Sequence, residues 1–156
     1  MDFISKLVGL LPNELAVFII ASIPVVELRG AIPVGMAMDM DWKTVYILSV
    51  LGNIIPVPFI IWFMRPLFSF LRKTRYFQGA VQWLEKRTMK KAETVMKYSA
   101  FGLFLFVAVP LPGTGAWTGA MIASMLDMRM KYALPSIFFG VIVAGILVMS
   151  ISYHVS

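Results

Sequence analysis

Two long apolar runs without a charged residue constrain what this chain can fold into. Thr44 to Met64 has 21 residues and Tyr132 to Tyr153 has 22. As helices that rise about 1.5 Å per residue, each run is roughly 30 Å long, which matches the hydrocarbon thickness of a bilayer. The prolines inside the runs can kink such helices without breaking them, because neighbouring groups re-satisfy the freed carbonyls. The runs therefore predict two membrane-spanning helices.

The composition excludes a water-soluble fold. Of the 156 residues, 60% are hydrophobic and 14% are charged, whereas soluble domains are about half apolar and a quarter charged. Too few polar residues remain to cover a water-exposed surface. The sequence therefore predicts an all-α integral membrane protein that forms a single membrane domain, 1–156.

Two further apolar segments are interrupted by helix breakers. Glu14 to Met38 contains Pro24, Gly30 and Pro33, and Ser99 to Leu126 contains PLPGTG at 110–115. In each segment an arm of about ten residues leads to a turn and a second short arm, and ten helical residues reach only about 15 Å, half of the hydrocarbon core. This pattern predicts two re-entrant helical hairpins, whose irregular backbone must be shielded by protein or line a wet cavity.

The two halves of the chain resemble each other. DMDWK at 39–43 is followed, nine residues after its lysine, by Gly52, and DMRMK at 127–131 is followed at the same distance by Gly140. Each half would contain one hairpin and one span. Since a unit with a single crossing must appear in opposite orientations, the sequence predicts an inverted repeat, an architecture common among transporters.

The segment between the halves carries most of the positive charge. Nine of the 14 Lys and Arg residues lie between Arg65 and Lys97. A basic run can indicate nucleic-acid binding, but a polybasic stretch between spans is what the positive-inside rule produces. We therefore expect 65–97 to be cytoplasmic, both termini to lie outside, and no nucleic-acid partner. Four plain spans with both termini inside fit the distribution of charge nearly as well.

We predict a linker, 65–98, between a first repeat at 1–64 and a second repeat at 99–156. Apolar residues recur along it at helical spacing, with basic residues toward the other faces. This pattern is typical of an amphipathic helix lying on the inner leaflet of the membrane. The apolar positions are Phe77, Val81, Leu84, Ala92 and Val95.

The stretch IPVVELRGAIPVG at 23–35 puts two charged residues, Glu27 and Arg29, inside the first predicted hairpin. A charge at mid-membrane costs about 2.5–3.5 kcal/mol on insertion scales. One interpretation is a structural ion pair that holds the tip of the hairpin. The other is a substrate and proton site, because polar groups at mid-depth mark binding sites in transporters.

The second arms of the two hairpins are expected to start near Gly30 and Gly115. Helix N-termini present free N–H groups and a partial positive charge, which suit an anion such as phosphate or carboxylate. Thr114 is placed to N-cap the second arm, and Glu27 would be a counter-charge at rest and a proton acceptor. Asn53, on the adjacent span, either lines the site or bonds between helices. The candidate substrate-binding residues are Glu27, Arg29, Gly30, Pro33, Asn53, Pro110, Pro112, Gly113, Thr114, Gly115, Trp117 and Thr118.

The sequence offers no enzyme or cofactor site. It has no cysteine, and its single histidine is His154, so neither a metal cluster of Cys and His ligands nor a Ser-His-Asp triad can be built within one chain. GTGAWTG at 113–119 lacks the lysine and the spacing of a P-loop. We expect no enzymatic activity, no metal and no cofactor.

PVVELRGAIPVG and VPLPGTGAWTGA together make the chain resemble the putative small multidrug export protein family over nearly its whole length. That family is related to the DedA superfamily of re-entrant-loop membrane proteins. The resemblance implies proton-linked transport or lipid movement, including recycling of undecaprenyl phosphate, in the inner (plasma) membrane of a prokaryote. Glu27 through Pro33 matches the first DedA motif, a glutamate before a proline-containing turn. The second motif carries functional arginines, and Pro110 to Ala120 has none.

These observations predict a transporter for a small amphiphilic, anionic substrate, which is either a lipid-linked phosphate carrier or a drug. The expected partners are membrane lipids, that substrate, protons, and a second copy of the chain in a homodimer. The alternative is a non-transporting membrane scaffold or homeostasis factor that acts through partners.

Overall fold

The computed structural model describes Lys6 and residues 9–155, without the side chains of Glu85 and of residues 88–97. All regular elements in this described part are helices, as the sequence predicts. They are α1 Asn13–Ser22, α2 Glu27–Ala37, α3 Trp42–Ile54, α4 Pro56–Lys73, α5 Gln78–Ala108, α6 Ala116–Met125 and α7 Met130–Val155.

Two of the helical runs are long and apolar enough to cross a membrane. Ile55, which alone separates α3 from α4, is itself in the right-handed helical conformation, so Trp42–Lys73 forms one run of 32 residues with a mean hydropathy of 2.1. The second run, α7, has 26 residues and a mean hydropathy of 2.4. The Asp41 carboxylate accepts a hydrogen bond from the Thr44 N–H at 3.3 Å and so caps α3. The two predicted spans are thus present as helices of sufficient length.

The other two apolar segments are broken near their middles. The chain leaves the helix between α1 and α2 at 23–26, and between α5 and α6 at 109–115. Both breaks have the same local cause. The residue before a proline is pushed out of the helical region into an extended conformation, and Ile23 (φ −75°, ψ 127°) and Val109 (φ −79°, ψ 119°) both adopt it.

The two halves share two local features as well as their order of helices: a left-handed aspartate after the second short helix, and a glycine where two helices contact closely. Asp39 (φ 54°) lies two residues after α2 and Asp127 (φ 50°) two residues after α6, both in the left-handed conformation that Asp tolerates. A Cβ on Gly52 would lie 2.4 Å from the carbonyl oxygen of Phe18 on α1. A Cβ on Gly140 would lie 3.0 Å from the carbonyl oxygen of Phe104 in the last part of α5. In each half a glycine therefore lets the long helix approach the backbone of the helix that precedes the break.

The core lies between the two halves and contains residues from both. The Tyr46 hydroxyl of α3 donates to the carbonyl of Ile142 on α7 at 3.0 Å, and a Cβ on Gly145 would lie 2.9 Å from the Tyr46 ring. The largest fully buried side chains are Val17, Ile20, Leu28, Ile32, Val45, Val57, Ile61, Leu103, Val107, Ile122 and Ile137.

The basic linker does not form a separate helix with the predicted bounds. Its first residues, from Arg65 to Lys73, continue α4, and a turn at 74–77 precedes α5. From Gln78 the helix runs on past the predicted end at 98 to Ala108, with a kink at Ser99 (φ 53°, ψ −126°). Val81 is buried, whereas the predicted apolar positions 92 and 95 lie outside the side chains that the structure describes.

Candidate functional site

The two helix breaks meet around a cavity of about 440 Å³. Eight of the twelve predicted site residues line it. The lining residues are Pro24, Val25, Glu27, Arg29, Pro110, Leu111, Pro112, Gly113, Thr114, Trp117, Thr118 and Met121.

Glu27 reaches from one half of the chain to the other. It is the first residue of α2, it is only 5% exposed, and its Oε1 accepts a hydrogen bond from the Trp117 N–H at 3.1 Å. The N–H of Ala116 also interacts with this carboxylate. Since α6 begins at Ala116 and has no side-chain cap from its own N-cap residue, Gly115, the Glu27 carboxylate occupies the positive end of α6.

The carboxylate fits there because residue 115 is a glycine. Gly115 has φ 132°, a conformation that side chains rarely adopt. A Cβ at this position would lie 2.2 Å from Oε2 of Glu27 and 2.8 Å from its Cδ. Any larger residue would therefore displace the Glu27 carboxylate from α6.

We expect Gly115→Ala to lower the free energy of unfolding by about 1–3 kcal/mol, because the backbone would be strained and the carboxylate displaced. Thermal unfolding of the purified protein in detergent measures this effect. Gly79→Ala is the matched control, since a Cβ there meets nothing within 4 Å. Equal stability of the two variants would contradict the described contact.

Arg29 also bonds to the opposite half of the chain. Its Nη2 donates to Oγ1 of Thr114 at 2.8 Å and weakly to the carbonyl of Val109 at 3.4 Å. Its Nη1 donates to the carbonyl of Leu111. The guanidinium group thus holds the turn between α5 and α6 against the start of α2.

Glu27 and Arg29 do not bond to each other. Each bonds to the segment 109–117, although the two charges are close enough to interact through space. A direct ion pair, as the structural interpretation assumed, is therefore not what holds this turn.

Thr114 does not cap α6, so this part of the sequence prediction is wrong. Its hydroxyl lies 2.8 Å from the carbonyl oxygens of both Val109 and Leu111, within its own turn, and it accepts from Arg29. Thr114 stabilises the turn, and Glu27 takes over the capping role from a position about 90 residues earlier in the chain.

Asn53 lies beside Glu27 and is fully buried. Its side chain interacts with the Glu27 carboxylate, but neither of its polar atoms has a close hydrogen-bond partner among the described residues, and neither does the buried hydroxyl of Ser49, one turn earlier on α3. A buried polar group without a partner costs about 1–3 kcal/mol, so such groups commonly mark the position of a water or a ligand. Asn53 on α3 thus interacts with Glu27 on α2 without a close hydrogen bond, and both roles that the sequence allowed for it stay predictions.

The remaining predicted residues lie outside the cavity lining. Gly115 packs directly against the Glu27 carboxylate but does not line the cavity. A Cβ on Gly30 would lie 2.4 Å from the Val26 side chain. Pro33 is exposed within α2. The start of α2 was expected near Gly30, but α2 begins three residues earlier, at Glu27.

Sequence reasoning missed four lining residues. Pro24 is itself one of the prolines that break the helices, and Val25 and Leu111 are adjacent to such prolines, so the breaks could have identified all three. Met121 lies one helical turn after Trp117 on α6, so the spacing of four residues was the available signal. Val25 has φ 80°, a strained conformation for a β-branched residue.

Among the described residues, no group of three or more His, Cys, Asp or Glu side chains could hold a metal ion.

One family of known proteins matches this chain. The family model described as "Putative small multi-drug export protein" matches residues 27–147. The match begins at Glu27 and extends into α7, so it includes the second helix break and most of the cavity lining. No curated protein and no solved structure matches the chain.

Proposed function

Because this chain belongs to the family described as putative small multi-drug export proteins, we propose that it transports a small amphiphilic, anionic substrate across the inner membrane of a prokaryote. The substrate site is the cavity between the two helix breaks. The observation that carries this proposal is Glu27, a buried carboxylate that occupies a helix N-terminus at the wall of that cavity. A volume of about 440 Å³ suits the polar head of an amphiphile and part of its apolar body.

We estimate the depth of the cavity in the membrane from the position of Asn53, which lies beside Glu27 on α3. Asn53 lies nine residues after Thr44 and eleven before Met64, so it is close to the middle of the charge-free run. At about 1.5 Å per residue, Asn53 and the adjacent Glu27 lie roughly 15 Å from each face of the hydrocarbon core. A carboxylate at that depth is costly in lipid and is typical of a substrate or ion pathway.

The two broken segments are, in this proposal, re-entrant hairpins that enter from opposite faces. Their arms have 10 residues in α1, 11 in α2 and 10 in α6, which is about half of the length needed to cross. The non-helical breaks then meet at mid-depth around a wet cavity, where irregular backbone is tolerated. The basic residues 65–97 are cytoplasmic under the positive-inside rule, and a relation to the DedA superfamily is part of the same proposal.

The contacts of Glu27 suggest how a proton and an anion are coupled. An anionic group on the substrate and the Glu27 carboxylate compete for the same N–H groups at the start of α6. When Glu27 takes up a proton it loses its charge, and the N-terminus of α6 is left without a counter-charge. The substrate anion then binds there and replaces the Leu111 carbonyl and the Thr114 hydroxyl as the acceptor for Arg29. A proton and an anion thus enter the site together.

Transport by the purified protein in liposomes tests this proposal. The probes are a short-chain polyprenyl phosphate and an anionic amphiphilic dye, each added with and without an imposed pH gradient, and proton entry is followed with a pH-sensitive dye inside the liposomes. We expect flux of at least one probe above that of empty liposomes, accompanied by proton entry. No flux of either probe would favour the alternative, a scaffold that acts through partners.

We expect Asn53→Leu to raise the thermal unfolding midpoint and to slow transport. An apolar residue of similar size removes two buried polar atoms that have no close partner among the described residues, which is worth about 1–3 kcal/mol, but it also removes the amide beside Glu27 that would bond to water or substrate. Ser22→Ala is the control from the same neighbourhood, because the Ser22 hydroxyl does have partners, the carbonyls of Gly52 and Phe18. That variant is expected to lose about 0.5–1.5 kcal/mol. Destabilisation by Asn53→Leu would show that the amide is already satisfied.

A further inference from the structure

A second polar cavity, of about 300 Å³, lies between α4 and the end of α6. It shares no lining residue with the cavity at Glu27. Its described lining includes three cationic side chains and one carboxylate, together with two serines: Arg65, Arg72, Lys73, Asp127, Ser69 and Ser124.

Two of the cations donate to backbone carbonyls, one at the C-terminal end of α6 and one in the turn that follows it. Arg65 donates from Nη2 to the carbonyl of Met128, and Arg72 donates from Nη2 to the carbonyl of Met125 at 3.5 Å. Cations are favoured at this end of a helix. The Nε of Arg65 is buried and has no acceptor among the described residues, so Arg65 is not fully satisfied by the backbone carbonyl that it contacts.

The position of this cavity along α4 places it at the level of the lipid headgroups. Arg65 directly follows Met64, the last residue of the charge-free run that spans the hydrocarbon. Lys73 lies eight residues further on, which is about 12 Å along a helix. Phosphate groups of phospholipids lie at this depth, and basic pockets between membrane helices bind anionic headgroups.

We propose that this cavity binds the phosphate group of an anionic phospholipid headgroup. The guanidinium groups supply planar donors that match phosphate oxygens, and the excess of cations over the single carboxylate of Asp127 selects for net negative charge. A choline headgroup carries its own cation beside the phosphate and is disfavoured. Free inorganic phosphate has the same recognised group and is the other source that must be distinguished.

Titration of short-chain phosphatidylglycerol into the full-length protein in detergent, followed by native mass spectrometry, tests the site. Asp127→Asn is expected to tighten binding about two- to fivefold, because it removes the carboxylate that opposes the anion. Asn tolerates the left-handed conformation of residue 127, so the fold is retained. Asp39→Asn is the matched control, with the same change of charge and the same backbone conformation in the other half of the chain.

A second pair of variants changes the charge in the opposite direction. Lys73→Gln is expected to weaken binding of phosphatidylglycerol about two- to fivefold, while Lys86→Gln, which removes an exposed cation outside the cavity, leaves it unchanged. Equal effects within either pair, or equal affinity for phosphatidylcholine, would overturn the proposal.

Competition by millimolar inorganic phosphate separates the two sources. Displacement of the lipid would show that the site recognises the phosphate group from either source, and failure to displace it would show that the lipid is the ligand. Both results support the site, because each presupposes binding that depends on Lys73 and Asp127.

Discussion

Replacing Glu27 by alanine is expected to lower the free energy of unfolding by about 2–4 kcal/mol and to abolish transport. The substitution removes a charge-assisted hydrogen bond to the start of α6, worth about 1.5–3 kcal/mol, and leaves the N–H of Trp117 buried without an acceptor. Thermal unfolding in detergent and flux in liposomes measure the two effects side by side. Glu14→Gln, at an exposed position on α1, is the control and should change neither.

Glu27→Gln separates the structural role of the residue from its proposed role as a proton acceptor. The glutamine oxygen still accepts a hydrogen bond from Trp117, so we expect a loss of only about 1 kcal/mol. The side chain can no longer gain or lose a proton, so any flux that remains should not depend on the pH gradient. Flux that keeps its full pH dependence in this variant would remove Glu27 from the proton pathway.

Replacing Arg29 by glutamine is expected to have the second largest effect, a loss of about 2–3 kcal/mol together with loss of transport. The guanidinium group donates charge-assisted hydrogen bonds to Leu111 and Thr114, of a kind worth about 1.5–3 kcal/mol, and the substitution removes them. Arg29→Lys keeps the positive charge but loses the planar guanidinium group, whose paired N–H donors match phosphate or carboxylate oxygens. This variant should therefore impair transport more than stability. Arg75→Gln, at an exposed position in the turn before α5, is the control.

A double-mutant cycle with Glu27→Gln and Arg29→Gln decides whether the two residues act as a pair. They bond to different groups on the segment 109–117 but also interact through space, so we expect a coupling of about 0.5–1 kcal/mol, far short of full compensation. If the double variant instead recovers both stability and flux, the two residues form a structural ion pair and the transport site lies elsewhere.

The helix breaks were predictable because their cause is local. A proline constrains the residue before it whatever the rest of the chain does, so the positions of Pro24 and Pro110 fix both breaks. The spans were predictable for a similar reason, since a charge-free run of 21 or 22 residues is a property of the sequence alone. Most of the cavity lining followed from the same prolines and glycines.

The cap of α6 could not be predicted, because it depends on a contact between distant parts of the chain. Local preference favours Thr114 as the N-cap, but the hydroxyl bonds within its own turn and the Glu27 carboxylate takes the helix end instead. The start of α2 at Glu27 was not predicted either, and the sequence does not indicate the left-handed conformation of that residue. The basic cavity between α4 and α6 was missed because the sequence assigned Arg65 to a separate linker.

The central claim, a wet cavity in the middle of the membrane between two broken helices, is tested most directly by the reactivity of single cysteines. The chain has no cysteine of its own, so Leu111→Cys in the cavity and Phe59→Cys on α4 can be compared without background. In the isolated chain the side chain of Leu111 is 56% exposed and that of Phe59 is 67% exposed, but of the two only Leu111 lines the cavity. Maleimides react with the thiolate, which needs water to form. In liposomes, a water-soluble maleimide is expected to label Leu111→Cys at least ten times faster than Phe59→Cys, and equal protection of the two cysteines would contradict the account.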